Sequence, residues 1–242
     1  MKRVTFILLM LFTFCGFFFS QEDMLGALLS PNVPIESIPK ELALPDKVLP
    51  YLKTEFNNSI GKQGSFDVQF KIVVLVSKIT NLPSKKYDLL EEIILWEVKS
   101  SSKTEQKTIA VSPDARVLAI SELSKSKDTK YIDVLLTVVE RDISVSPRIT
   151  AARALSRFGD KTVVPKLVDL LKNQYGASRA KFREDDPKRF DDDRVAEAII
   201  QTLGDIGDPR AFPVLLQTVM NPDRHRDETV KAAWESMKKL QW

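Results

Sequence analysis

Apolar positions in the second half of the chain recur in one pattern, carried by three segments of equal length. The segments run from Ala115 to Asp128, from Pro147 to Asp160 and from Val195 to Asp208. In each, the fifth and sixth residues are small or apolar, the ninth is leucine and the fourteenth is aspartate. This spacing predicts an amphipathic helix that ends just before the aspartate.

A second helix is predicted after each aspartate, because apolar residues follow it at the same four helical positions. In chain order they are Ile132, Leu135, Leu136 and Val139; Val164, Leu167, Val168 and Leu171; and Phe212, Leu215, Leu216 and Val219. Gly159 and Gly207 precede two of the aspartates and suit the left-handed turn between the helices. The first copy has Lys127 at that position, so a looser turn is expected there.

Helix pairs of this kind bury their apolar faces by stacking on neighbouring pairs. Asp160 follows Asp128 by 32 residues, and Asp208 follows Asp160 by 48, which is one period plus an insertion. We therefore predict an all-α fold, an α-solenoid of helix pairs. The adjacent alanines Ala151 and Ala152 are expected where two helices approach closely.

Two short elements link this pattern to a known family. They are A-x-x-A-L, present as Ala151 to Leu155, and L-G-x-I-G-D-P-R-A, present as Leu203 to Ala211. They resemble the HEAT-like repeats of phycobilisome lyases over residues 113–242. The resemblance implies a HEAT-like solenoid, a fold shared by adaptors, enzymes and envelope proteins, so it does not fix the function.

The flanks of the repeats complete the predicted domain plan. Residues 60–112 are interpreted as a degenerate N-terminal repeat, because Lys86 to Lys99 has a helical apolar stripe. The preceding run FDVQFKIVVLVSKITNL is rich in β-branched residues and would suit a strand as well as a helix. Thr229 to Met237 fits half a repeat and is expected to close the array.

Residues 1–20 have the features of an export signal. Lys2 and Arg3 precede an uncharged run from Val4 to Phe19, which is short for a spanning helix. We favour a cleaved signal and a periplasmic or otherwise exported protein. Two alternatives stay open, an uncleaved anchor formed by residues 4–19 and a lipid on Cys15, and only these would bring the protein to a membrane.

Residues 21–59 are interpreted as a proline-rich linker between this signal and the folded body. Five prolines fall between residues 30 and 50, at Pro31, Pro34, Pro39, Pro45 and Pro50. Proline at this density disfavours long helices and favours extended chain.

The insertion at 173–193 mixes charged and aromatic residues. A solvated loop is one interpretation, because such a segment can bury little apolar surface. The other is a partner-binding surface, since insertions in solenoids often fall on the binding face and arginine and aromatic residues are enriched in interface hot spots. The candidate partner-binding residues are Tyr175, Arg179, Phe182, Arg183, Arg189 and Phe190.

Composition and motifs disfavour catalysis. Cys15 and His225 are the only cysteine and histidine, and His225 lies among charged residues in an expected surface loop. No nucleotide-binding, zinc-protease or serine-hydrolase motif is present. Asp191 to Asp193 are interpreted as the start of a helix, where acidic residues complement the dipole. We therefore expect no enzyme activity, no metal and no cofactor.

Three functions are compatible with these observations. We favour an exported scaffold or adaptor of the bacterial cell envelope, which binds another protein through its helical-repeat surface. A lyase-type enzyme related to phycobilisome lyases is the alternative. A HEAT-type nucleic-acid-binding module is disfavoured, because the net charge is only +3 and removing residues 1–20 would lower it to about +1.

Overall fold

The computed structural model describes residues 21–38, 48–81, 83–100, 109–175 and 187–242. Within these ranges the chain is all-α, with eleven α-helices and no β-strand. The helices are α1 Gln21–Leu29, α2 Val48–Ser59, α3 Phe66–Lys78, α4 Pro83–Ser100, α5 Pro113–Leu123, α6 Ile132–Arg141, α7 Val145–Leu155, α8 Val164–Leu170, α9 Pro187–Ile206, α10 Phe212–Met220 and α11 Asp227–Lys238.

The helices stack in two layers. The first helix of each pair packs on the first helix of the next, in the order α3, α5, α7, α9 and α11. The second helices α4, α6 and α8 form the other layer, and α8 contacts the short turn that leads into α10. A continuous set of buried apolar side chains runs through the array. The predicted α-solenoid is therefore confirmed.

The three turns after the first helices share one geometry. Gly159 and Gly207 have φ values of 61° and 73°, and Lys127 adopts the same left-handed conformation with φ 55°. The following aspartate then accepts a hydrogen bond from the amide two residues on, at 3.1 Å for Asp128 and 2.8 Å for Asp160. The looser first turn expected from Lys127 is not observed, because this capping holds the backbone in place.

Replacing Lys127 with glycine is expected to stabilise the protein by roughly 0.5–1 kcal/mol. A side chain in the left-handed conformation costs about 1–2 kcal/mol, and glycine removes this cost. Glycine in turn destabilises the fold by about 0.5–1 kcal/mol, because it loses more conformational entropy on folding. Urea denaturation followed by circular dichroism measures the change. The reciprocal variant Gly159→Lys is the control and should lose stability through backbone strain alone, since its Cβ would meet nothing within 4 Å. Equal stability of the Lys127→Gly variant and the native chain would contradict the prediction.

The prediction of a linker over residues 21–59 is wrong. The helices α1 and α2 lie in this segment, and both contact α3. Leu25 and Leu28 of α1 and Leu52 and Phe56 of α2 are at most 2% exposed. Since α2 packs against both α3 and α4, as each second helix packs against the next pair, α1 and α2 extend the array by one further unit.

Residues 1–20 lie outside the described part, so the predicted export signal is not tested by the structure. Among the described helices, none has both the length and the apolar character required to cross a bilayer.

Helices of the first layer approach closely where their residues have small side chains. Ala151 and Ala152 of α7 are fully buried, as predicted. Thr202 of α9 donates a hydrogen bond to the carbonyl of Ala152 between these two helices, at 2.8 Å. Farther along α9, Gly204 lies against Ser236 of α11, and a Cβ at Gly204 would come within 2.8 Å of the Ser236 Cα.

Candidate functional site

A surface groove runs between α3 and α5 in the first-helix layer. Its floor and walls come from the loop before α3, from the first turns of α3, from residues 109–112 and from one side of α5. The charged and larger apolar side chains that line it are Lys62, Phe66, Asp67, Phe70, Ile109, Asp114, Val117 and Leu118. We call this the α3–α5 groove.

Apolar side chains dominate the exposed surface of the groove. Phe66 is 40% exposed and Ile109 is 38% exposed. Phe70 lies one turn after Phe66 on α3 and is half-buried, as is Leu118 on α5. Apolar side chains that are exposed together in one groove are a common feature of binding sites.

The charged residues at the groove are mainly acidic. Asp67 lies in the first turn of α3 and Asp114 in the first turn of α5, and both are at least partly exposed. Lys62 is the one basic side chain among the described lining residues. The groove therefore combines apolar anchoring surface with a negatively charged rim.

Buried polar side chains hold the wall formed by residues 109–112. Gln69 of α3 donates to the carbonyl of Ala110 at 3.0 Å and accepts from the amide of Ser112 at 2.6 Å. Glu97 of α4 accepts from the amides of Ala110 and Val111, at 2.6 and 2.7 Å. Because Gln69 and Glu97 are buried, these bonds fix the backbone beside Ile109.

Arg116 extends this network under the groove. Its side chain is fully buried on α5 and donates two hydrogen bonds of 3.0 Å to the carboxylate of Asp142, which follows α6. It also donates to the carbonyl of Val111, and its guanidinium lies 3.7 Å from Glu97. The wall of the groove is thus preorganised by a charged cluster that joins α4, α5 and the end of α6.

The structure corrects one predicted site residue, Tyr175. This tyrosine is fully buried, and its hydroxyl donates to the carbonyl of Val139 at 2.6 Å. Burial raises the pKa of the Tyr175 hydroxyl, while the nearby Arg148 acts in the opposite direction. The side chain fixes a short π-helical turn, Leu171–Tyr175, to the end of α6 and is not available to a partner.

The other predicted site residues are not tested. Arg179, Phe182 and Arg183 lie outside the described residues. Arg189 and Phe190 fall in the first turn of α9, although their side chains also lie outside the described part. Both ends of the predicted insertion lie in described helical structure, the π-helical turn that ends at Tyr175 and the helix α9 that begins at Pro187. Residues 176–186 lie outside the described residues.

The lone histidine is structural, contrary to the prediction of a surface loop. His225 is 2% exposed, with its Nδ1 3.1 Å from Oδ1 of Asp193. The other oxygen of Asp193 accepts from the amide of Arg226 at 2.7 Å, so this carboxylate ties the start of α11 to α9. Because α9 begins at Pro187, Asp191–Asp193 do not start the helix. No cluster of three metal-ligating side chains occurs among the described residues.

Sequence reasoning missed the α3–α5 groove. Phe66 and Phe70 are spaced one helical turn apart, but they lie in a run rich in β-branched residues, and such a run is expected to be buried in the core. Ile109 follows a polar stretch, and nothing in its local pattern shows that Gln69 and Glu97 hold the backbone next to it. The available signal was the pair of aromatic residues one turn apart in the first two turns of a helix.

The described fold and groove define a class of protein, an α-solenoid with an exposed apolar surface on its first-helix layer. Comparison with family models then identifies the repeat. Residues 108–182 match the model for HEAT repeats, and residues 195–218 match the model for the PBS lyase HEAT-like repeat. The protein is therefore a HEAT-like repeat protein. No curated protein sequence matches the chain.

Proposed function

We propose that the protein is a non-enzymatic scaffold or adaptor, and that its α3–α5 groove binds a segment of another protein. The observation that carries the proposal is the exposure of Phe66 and Ile109 beside a wall held by buried hydrogen bonds. Exposed apolar side chains on a rigid support lose little conformational entropy on binding, so this surface is suited to anchor a partner.

The partner segment that fits this groove has one or two large apolar side chains flanked by lysine or arginine. The apolar side chains would cover Phe66 and Ile109, and the basic ones would face Asp67 and Asp114. This acidic rim disfavours nucleic acid, whose phosphates would meet like charge.

We also propose that the protein acts outside the cytoplasm, in the bacterial cell envelope. This part rests on the charged start and the uncharged run within residues 1–20. The alternative of a lyase-type enzyme draws support only from the name of one matching repeat model, since that model describes a fold unit and no catalytic group.

Photo-crosslinking tests the groove directly. A benzophenone amino acid at position 66 is expected to crosslink one reproducible partner in the envelope fraction of the native host, and the Asp114→Lys change should weaken that product. The matched control is the same probe at Trp234, an exposed aromatic residue on α11 that is remote from the groove in sequence. Crosslinking that is equal at both positions would contradict binding in the groove.

A peptide titration tests the partner chemistry. A peptide of Phe and Leu flanked by lysines is expected to bind at low salt several-fold more tightly than the same peptide flanked by glutamates. The difference should shrink in high salt, because exposed charges are screened. Phe66→Glu should weaken lysine-peptide binding at least tenfold, as hot-spot truncations do.

Two outcomes would redirect the proposal. A Gly-Ser linker in place of residues 176–186 could abolish partner capture while Phe66→Glu leaves capture unchanged. The binding surface would then be the insertion that holds Arg179, Phe182 and Arg183. Recovery of the full-length protein in the cytosolic fraction would overturn the envelope location.

A further inference from the structure

A small cavity lies beside α10 and shares no lining residue with the α3–α5 groove. It has a volume of about 70 Å³ and is bordered by the π-helical turn after α8, by α10 and by the turn that follows α10. One water molecule needs roughly 10–15 Å³ of cavity volume, so the space admits one small ion. Its described polar lining residues are Lys172, Gln217, Thr218, Asn221, Arg224 and His225. We call it the α10 cavity.

The charged lining of the α10 cavity is basic. Lys172 comes from the π-helical turn and Arg224 from the turn after α10, and no described lining residue is acidic. Neither cation forms an ion pair with any residue that the structure describes. Two unpaired positive charges on one small cavity favour an anion.

The carbonyl groups at the end of α10 do not explain these cations. Asn221 donates its Nδ2 hydrogen to the carbonyl of Gln217, at 2.7 Å. The carbonyl of Asn221 in turn accepts from the amide of Arg224, at 3.1 Å. Because this end of the helix is capped within its own turn, the side chains of Lys172 and Arg224 are left for a ligand.

The buried ring of His225 adds a hydrogen-bond acceptor to the cavity. Its Nδ1 lies 3.1 Å from Oδ1 of Asp193, a carboxylate that can only accept, so Nδ1 carries the hydrogen. In the neutral ring Nε2 then presents a lone pair. His225 is 2% exposed and lines the cavity, whereas Asp193 is not among the described lining residues. Nε2 has no hydrogen-bond partner in the described part of the chain, and it is the polar ring atom left for the cavity.

We propose that the α10 cavity binds inorganic phosphate in its form with one proton and two negative charges. Lys172 and Arg224 donate to the unprotonated oxygens, as charge-assisted hydrogen bonds favour. Nε2 of His225 accepts from the P–OH group. Sulfate has the same charge but no proton, so one of its oxygens would meet the Nε2 lone pair. A phosphate monoester loses its last proton with a pKa of about 6 and meets the same repulsion above that pH.

Nuclear magnetic resonance of the untagged full-length chain tests this assignment. His225 is the only histidine, so its ring gives one set of signals. Near pH 8 the nitrogen shifts are expected to show hydrogen on Nδ1 and none on Nε2, and added potassium phosphate should move the Nε2 signal to saturation. Sulfate and methyl phosphate at equal ionic strength should bind about tenfold more weakly, because neither offers a proton. A hydrogen on Nε2 in the free protein, or equal binding of sulfate or methyl phosphate, would overturn the proposal.

Exposed variants test the two cations without disturbing the core. Lys172→Gln and Arg224→Gln should each weaken phosphate binding about tenfold at an unchanged thermal midpoint. Lys231→Gln, at an exposed position on α11 outside the described lining, is the matched control and should leave binding unchanged. The same affinity in all three variants would contradict a site in this cavity. Phe66→Glu should also leave phosphate binding unchanged, so failure of the groove and failure of the α10 cavity are separable.

Discussion

Replacing Asp142 with alanine is expected to lower the free energy of unfolding by about 3–5 kcal/mol. The change leaves the guanidinium of Arg116 buried without its bidentate partner, since both side chains are fully buried in the native protein. Glu97 cannot compensate, because its carboxylate lies 3.7 Å away and already accepts two backbone amides. Urea denaturation followed by circular dichroism measures the loss.

Two controls separate this burial effect from the general loss of an ion pair. Asp205→Ala removes the partner of Lys239, at 2.7 Å but about half exposed, and should cost less than about 1 kcal/mol. The double variant Arg116→Met, Asp142→Leu removes both buried charges and should recover most of the stability lost by Asp142→Ala. A similar loss for Asp142→Ala and Asp205→Ala would show that the burial of the pair contributes nothing.

Replacing Gly204 with alanine is expected to destabilise the protein by about 1–3 kcal/mol. The new methyl group would lie 2.6 Å from the Cβ of Ser236 and 2.8 Å from its Cα. A side chain could rotate away, but a backbone atom cannot, so α9 and α11 must separate. The thermal midpoint should fall even though alanine favours helix over glycine by about 0.5–1 kcal/mol.

Gly26 on α1 is the matched control for this prediction. A Cβ there would meet only the hydroxyl of Tyr51, at 3.2 Å, which is the far end of a side chain. Gly26→Ala should therefore leave the midpoint unchanged or raise it slightly. Ser236→Gly combined with Gly204→Ala should rescue only part of the loss, because the new methyl group still meets the backbone at position 236. An unchanged midpoint in Gly204→Ala alone would mean that the two helices do not pack closely.

The repeat pattern predicts the array from α5 to α10 well, because its information is local. The small or apolar residues at the fifth and sixth positions of each first helix, and the aspartate that follows it, have the same role in each copy, so one copy explains the others. The solenoid places each unit against its sequence neighbours. The contacts that stabilise it therefore join residues from adjacent stretches of the chain.

The failures arise where a residue's partner is distant or its context is misleading. Tyr175 lies in a polar stretch, yet its hydroxyl donates a hydrogen bond to the carbonyl of Val139, 36 residues earlier. The prolines of residues 30–50 masked the helical spacing of Leu49, Leu52 and Phe56. Pro50 occupies the third residue of α2, where the first turn tolerates a missing amide donor.

The packing of α1 and α2 on α3 limits the reach of the molecule. An extended linker over residues 21–59 could span at most about 130 Å, so that a protein held at residues 4–19 would sample a wide volume around its attachment point. With α1 and α2 folded onto the array, that search volume contracts to the size of the body itself. A retained or lipidated N-terminus would then keep the α3–α5 groove close to the bilayer surface, and its partner segment would need to lie there as well.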